Sequence, residues 1–111
     1  MIARIEVRNR IPGMAEKLQQ QARQLVSEAA FACEALAKSL APVDTGLLRN
    51  SIQAEPETPD SWVVAPHTDY AVNVELGTSR QAAQPYLTPA AEHVRPQFLG
   101  QMQLLADEVA R

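Results

Sequence analysis

The chain has 111 residues, 46% of them hydrophobic but only 5% aromatic, which suffices for one domain, expected over residues 1–111, with an Ala-, Leu-, Val- and Ile-rich core around Phe31, Trp62, Tyr70, Tyr86 and Phe98. A formal net charge of −3 argues against the basic footprint of a dedicated nucleic-acid binder, and a single cysteine, Cys33, excludes an intrachain disulfide. No apolar run is long enough to span a bilayer and no signal-peptide core follows Met1-Ile2-Ala3-Arg4, so synthesis in the cytoplasm is expected.

Ala3, Ile5 and Val7 alternate with Arg4, Glu6 and Arg8, which predicts a strand over about residues 2–8 with its charges on a solvated face. After Pro12 and Gly13 the spacing changes to three and four. Leu18, Ala22, Leu25, Ala29, Cys33, Leu36 and Leu40 draw one apolar stripe on a helix from Met14 to Leu40, a rod on the order of 40 Å long at 1.5 Å per residue. Such a rod is long for this chain, and part of its stripe is expected to face a neighbouring subunit. Pro42 cannot continue the helix, and Asp44, Thr45 and Gly46 read as a tight turn, with side-chain oxygens for nearby amides and a glycine free to take positive φ.

Beyond that corner, Leu48 to Glu55 reads as a strand, Pro56 to Asp60 as an acidic turn and Trp62 to Ala65 as the returning strand of a hairpin. Tyr70 to Leu76 is ambiguous. Alternation of Tyr70, Val72, Val74 and Leu76 slightly favours a strand, whereas Thr68 or Asp69 as a cap and Gly77 as a terminator favour a short helix. Thr78 to Pro85 reads as a polar loop without core residues, with Ser79, Arg80 and Gln81 expected to be mobile unless a partner orders them. Thr88 is expected to cap a last helix with Pro89 at its first position, a stripe of Ala91, Val94, Phe98, Met102, Leu105 and Val109, and a kink at Pro96.

Little of this carries chemistry. Asp44-Thr45-Gly46 looks like the active-site triplet of aspartic proteases, but those enzymes are all-β and here a long helix leads into the triplet. His67 and Asp69 with a distant His93 lack the spacing of a metal site, and the four glycines are dispersed at turns rather than gathered in a phosphate loop. Glu75, between Val74 and Leu76, is the most interesting lone carboxylate, its ordinary reading being a surface or capping group. Residues alone therefore indicate a small α+β protein with no catalytic, cofactor or metal site.

Three blocks go further: Ala41-Pro-Val-Asp-Thr-Gly-Leu-Leu-Arg-Asn-Ser-Ile52, Tyr70-Ala-Val-Asn-Val-Glu-Leu-Gly-Thr78 and Gln84-Pro-Tyr-Leu-Thr-Pro-Ala90. In order and spacing they closely resemble a family of small tail-component proteins of long-tailed, lambda-like bacteriophages and prophages. Pro42, Asp44, Thr45, Gly46, Leu48, Arg49 and Ser51 match the first block, Tyr70, Ala71, Glu75, Gly77 and Thr78 the second, and Pro85, Tyr86, Leu87, Pro89 and Ala90 the third, with Tyr86 where Phe is frequent. The resemblance implies a fold of a small antiparallel sheet packed on one long helix, with a short helix rather than a strand at Tyr70 to Leu76, and a C-terminal helix. It implies a structural virion protein of the neck or tail, acting in head–tail joining or tail completion, self-associated in a ring, expected as a hexamer, and touching other neck or tail proteins. DNA would meet it only by passage through the channel. The matched residues transfer as scaffold and assembly elements, not as catalytic ones. A phage- or plasmid-encoded regulatory or nucleic-acid-binding module is the alternative.

Overall fold

In the computed structural model, which describes residues 4–9, 15–42, 46–68 and 70–109, the alternation at the N-terminus forms a strand, β1 (Ile5–Arg8), with Ile5 and Val7 buried and Glu6 and Arg8 exposed. A long helix follows, α1 (Glu16–Leu40), then a short helix α2 (Leu47–Ser51) and two strands, β2 (Gln53–Thr58) and β3 (Ser61–Ala65). The chain ends with a short helix α3 (Ala71–Leu76) and a long one, α4 (Leu87–Val109). The strands make an antiparallel sheet in the order β1-β3-β2, and the architecture is α+β.

Register explains which sheet face is inside. Ile5 lies opposite Val64, Val7 opposite Trp62, and Ala54 and Pro56 pair with the same two β3 residues, so these side chains share one face. That face rests on α1, which touches all three strands. The other face carries Glu6, Arg8, Glu55 and Glu57, alternating with the first set as a half-buried sheet requires. Asp60, at the tip of the β2–β3 hairpin, meets Arg23 of α1 at 3.1 Å.

Helix α4 packs along α1 rather than on the sheet. Ala22 clusters with Met102 and Leu105, whereas Ala29 and Cys33 lie near Ala91 and Val94, so the two helices run antiparallel. The molecule is drawn out to 55 × 20 × 20 Å. The centre of the α1 stripe is made of small residues. Ala22, Val26, Ala29, Ala30, Cys33 and Ala37 are buried, while Leu18, Leu25 and Leu36 flank them half-buried. Short side chains let the backbone of α1 approach both neighbours closely, and the leucines close the margins. Burial pushes the Cys33 thiol up to about 11, which keeps it protonated and inert.

Several sequence expectations are corrected. Leu48 to Glu55 is not one strand: Leu47–Ser51 is a helical turn, and β2 begins at Gln53. Leu-Leu-Arg-Asn-Ser has no β-branched residue, and Gly46 at φ 74° accepts the Asn50 amide through its carbonyl, so the chain winds before it extends. The turn expected over Pro56 to Asp60 is tighter, because β2 continues to Thr58 with a register shift between Pro56 and Thr58. The slight preference for a strand at Tyr70 to Leu76 fails, and the helix that the resemblance favoured is present. Phe31 is not a core residue: it is 52% exposed and lies edge-on to Trp62, ring centroids 5.2 Å apart. Tyr70 and Leu40 are also exposed. Residues 1–3 and 12–14, with Asp44, Thr45 and Asp69, lie outside the described residues.

The small-residue centre of α1 makes a prediction. Ala30→Leu, at a fully buried position, is expected to overpack the helix against its neighbours and cost about 1–3 kcal/mol. Leu40→Ala, on the exposed end of the same helix, is expected to stay within about 0.5 kcal/mol of the parent. Urea denaturation of both variants checks the contrast.

Candidate functional site

The three sequence blocks converge on one end of the molecule, where α1 stops, α2 and α3 sit and α4 begins. Each helix terminus there leaves backbone groups without intrahelical partners. Side chains from elsewhere in the chain supply them. The Arg49 Nε donates to the Lys38 carbonyl at 2.8 Å, closing the C-terminus of α1 with a cation where the helix dipole favours one. Ser51 Oγ donates to the Leu48 carbonyl at 2.8 Å and accepts the His67 amide at 3.1 Å, tying the end of α2 to the segment after β3. Leu48 is buried beneath them.

Glu75 is the most constrained group at this end. It projects from α3 and is only 3% exposed. One carboxylate oxygen, Oε1, accepts the amides of Tyr86 at 3.0 Å and Leu87 at 2.8 Å, and Oε2 accepts the Thr88 amide at 3.2 Å. These are amides at the start of α4, where a carboxylate also meets the positive end of the helix dipole. The cap of α4 is therefore Glu75 and not Thr88, whose own amide is among those being capped. Pro89 falls in the first turn, which needs no amide from it. Burial pulls the Glu75 carboxyl upward, but the hydrogen bonds from Tyr86, Leu87 and Thr88 together outweigh it and hold the group below its ordinary value.

Tyr86 completes the latch. Fully buried, it donates its hydroxyl to the Ala71 carbonyl at 3.2 Å, so the Tyr found where Phe is frequent has its partner at the start of α3. Burial, then the neighbouring Glu75 charge and Tyr70, push its phenol up to about 12. The intervening loop is structured as well. Thr78 and Gln81 exchange backbone hydrogen bonds at 2.8 and 3.3 Å, and the Gln84 amide donates to the Val74 carbonyl at 2.8 Å, although Thr78 to Pro85 has no buried side chain. Gly77, at φ 79°, makes this return possible: a Cβ there would lie 2.7 Å from the Ala83 nitrogen and 3.0 Å from the Gln81 oxygen.

Above the latch an open groove of about 370 Å³ is lined by Pro42, Leu48, Tyr70, Asn73, Val74, Thr78, Gln81, Ala82 and Gln84. Leu40, Leu47 and Leu76, close in sequence to these lining residues, are exposed, Leu47 by 58%. Of the matched positions, Gly46, Arg49, Ser51, Ala71, Glu75, Gly77, Tyr86 and Pro89 build the joints beneath the groove, while Pro42, Leu48, Tyr70 and Thr78 line it; Pro85 is exposed on the approach to α4. Among the described residues no three His, Cys, Asp or Glu side chains gather as a metal site; the His67 ring lies 3.7 Å from the Glu55 carboxylate. The exposure of Leu40 and Leu76 escapes sequence reading, because Leu76 fits a strand and Leu40 the apolar stripe.

Residues 5–77, from β1 to the glycine that ends α3, match the model of the HK97-gp10-like family, described as "Bacteriophage HK97-gp10, putative tail-component". The chain belongs to that family. Like the family described, it is a bacteriophage tail component, and the match takes in Arg49, Ser51 and Glu75 but ends before the amides that Glu75 caps. No curated protein and no solved structure matches the chain in the same comparisons. No helix among the described residues of this HK97-gp10-like protein is long and apolar enough to cross a membrane.

Two outcomes are expected from this geometry. The Glu75 carboxyl has a folded pKa below its unfolded one, so its stabilisation is complete above the unfolded value and disappears as pH falls through the folded value. Urea midpoints should therefore drop on acidification by more in the parent than in Glu75→Gln, which is weaker at neutral pH, while Glu75→Ala, leaving three amides without an acceptor at about 1–3 kcal/mol each, should be the least stable. The glycines should also separate. Among the described residues Gly46→Ala meets only the Asn50 side chain, at 3.8 Å, and it incurs the positive-φ cost of about 1–2 kcal/mol, whereas Gly77→Ala adds a backbone collision and should lower Tm further.

Proposed function

We propose that this tail component acts in head–tail joining or tail completion at the neck, as one subunit of a ring, with a hexamer the expected copy number. The observation that supports the reading is the division of labour at the motif end. The charged and hydroxyl motif side chains Arg49, Ser51, Glu75 and Tyr86 are engaged in internal hydrogen bonds, mostly at helix termini, and what this end offers outward is a groove with exposed Tyr70 in its lining, together with exposed Leu40, Leu47 and Leu76, each within two residues in sequence of a lining residue. Exposed apolar side chains on a rigid joint suit recognition of another protein surface. A ring needs heterologous contacts that close, and the motif end supplies one half of such a contact. The matched residues act in assembly by holding that surface in shape. Contact with other virion proteins of the neck or tail, residence in the virion after synthesis in the host cytoplasm, and the absence of catalysis belong to the same proposal.

The test is complementation of a phage that lacks the protein. Without it, filled heads and separate or malformed tails are expected by electron microscopy, with loss of infectious particles. A gene carrying Leu47→Asp with Leu76→Asp should give a protein of parental Tm, since both residues are exposed, yet fail to restore infectivity. A lysate of the deletion containing joined, infectious virions would overturn the joining role and favour the regulatory reading. Full rescue by the double variant would instead move the contact away from this end.

A further inference from the structure

The sheet has two edges, and they are not equivalent. On β2 the edge is interrupted by Pro56, which has no amide to offer, and by the register shift next to it, both of which discourage further pairing. On β1 there is no such device. The Asn9 amide donates to the Asp60 carbonyl at 2.9 Å, which continues the ladder to β3 from odd-numbered positions. Main-chain groups alternate in direction along an antiparallel strand, so those of Glu6 and Arg8 turn away from β3. Among the described residues no strand pairs with that side of β1. Beside it runs an open groove of about 470 Å³ between β1, α1 and α4, lined by Ile5, Val7, Cys33, Val94, Phe98 and half-exposed Leu99.

We propose that the free protein pairs with a second copy of itself through β1, antiparallel, about a two-fold axis passing between the two Val7 residues. The charge pattern selects both occupant and register. With Val7 opposite Val7, Glu6 of each copy lies opposite Arg8 of the other, and these are the positions whose main-chain groups point outward. Each of the two Glu6–Arg8 pairs then exchanges two backbone hydrogen bonds, and the side chains form two cross-strand ion pairs on the outer face of the sheet. Within one copy Arg8 already meets Glu6 at 2.7 Å, so the ion pairs are exchanged rather than created. They fix register, while affinity comes from the backbone ladder and from covering the groove side chains around Val7. A register centred on Glu6 would set Glu6 against Glu6 and Arg4 against Arg8, which like-charge repulsion opposes. The joined sheet would have six strands, in the order β2-β3-β1-β1-β3-β2, with proline at both outer edges. A two-fold contact closes on itself and cannot propagate a directional ring, so this pairing is independent of the neck role and involves another edge of the molecule.

Size-exclusion chromatography with light scattering tests the pairing. The parent protein is expected at twice its monomer mass, and Glu6→Arg and Arg8→Glu alone are each expected as monomers. An equimolar mixture of the two variants should recover the dimer, because one copy then carries arginine at both positions 6 and 8 and faces glutamate at both positions of the other. The double variant Glu6→Arg with Arg8→Glu, which swaps the two charges within each copy, should recover it as well. In a Cys33→Ala background, Val7→Cys should form an intermolecular disulfide under mild oxidation. A parent protein that is monomeric at every concentration tested, a dimer or ring indifferent to both reversals, or a mixture that stays monomeric would each overturn the proposal. Loss of infectivity in the deletion phage bears only on the neck role and leaves this result standing.

Discussion

A carboxylate that accepts three consecutive main-chain amides fixes how the C-terminal helix leaves the body of the protein, and the motif end depends on it. Glu75 caps the start of α4 from another helix, so the cap is also a tertiary contact. Burying a charge is costly unless it is fully hydrogen-bonded. Here both oxygens are used and the positive end of a helix lies against them, so the balance favours ionisation despite the burial. Tyr86 repeats the connection in the other direction, donating from the start of α4 to the start of α3. The groove above inherits its shape from this pair.

The same device closes α1. Its last turn is finished by Arg49, reaching back from α2, in place of the glycine that often follows a helix. The glycines are used elsewhere: Gly46 starts α2 and Gly77 turns the chain out of α3. Helix ends at this pole are thus held by side chains from neighbouring elements, while the middle of α1 is held by the close approach that alanines permit. The two halves of the long helix pair have different physical foundations, polar at one end and steric along its length.

These differences explain what can be read in the sequence. Long periodic segments are legible: the apolar spacing marks α1 and α4, alternation marks β1, and β3 is read as the apolar run that returns from the turn. The Ala22 to Ala37 centre is only partly legible, because hydropathy weights Leu36 and Leu40 above Ala30 and Ala37 although packing here rewards small volume. Helix α2 is hidden because five residues are too few for any period to register and Gly46 reads as part of a turn instead of a helix start. Glu75 is visible as an oddity, a carboxylate between two apolar residues, but its partners are main-chain amides, which leave no trace in side-chain identity. The residues of the motif are found through the family resemblance, while the exposed Leu47 and Leu76 above them are not, since exposure is a property of the assembled surface.

The short span of the Glu75 latch has a consequence for how the chain reaches this structure. Acceptor and donors are only 11 to 13 residues apart, whereas Ala22 and Met102, which meet at the far end of the helix pair, lie at opposite ends of the sequence. Closing a short loop costs little chain entropy and occurs quickly. With Glu75 holding the first turn of α4, the loop closed by the latch is the short one, and the loops closed by contacts between α4 and α1 lengthen from Cys33 and Val94 towards the Ala22 and Met102 end.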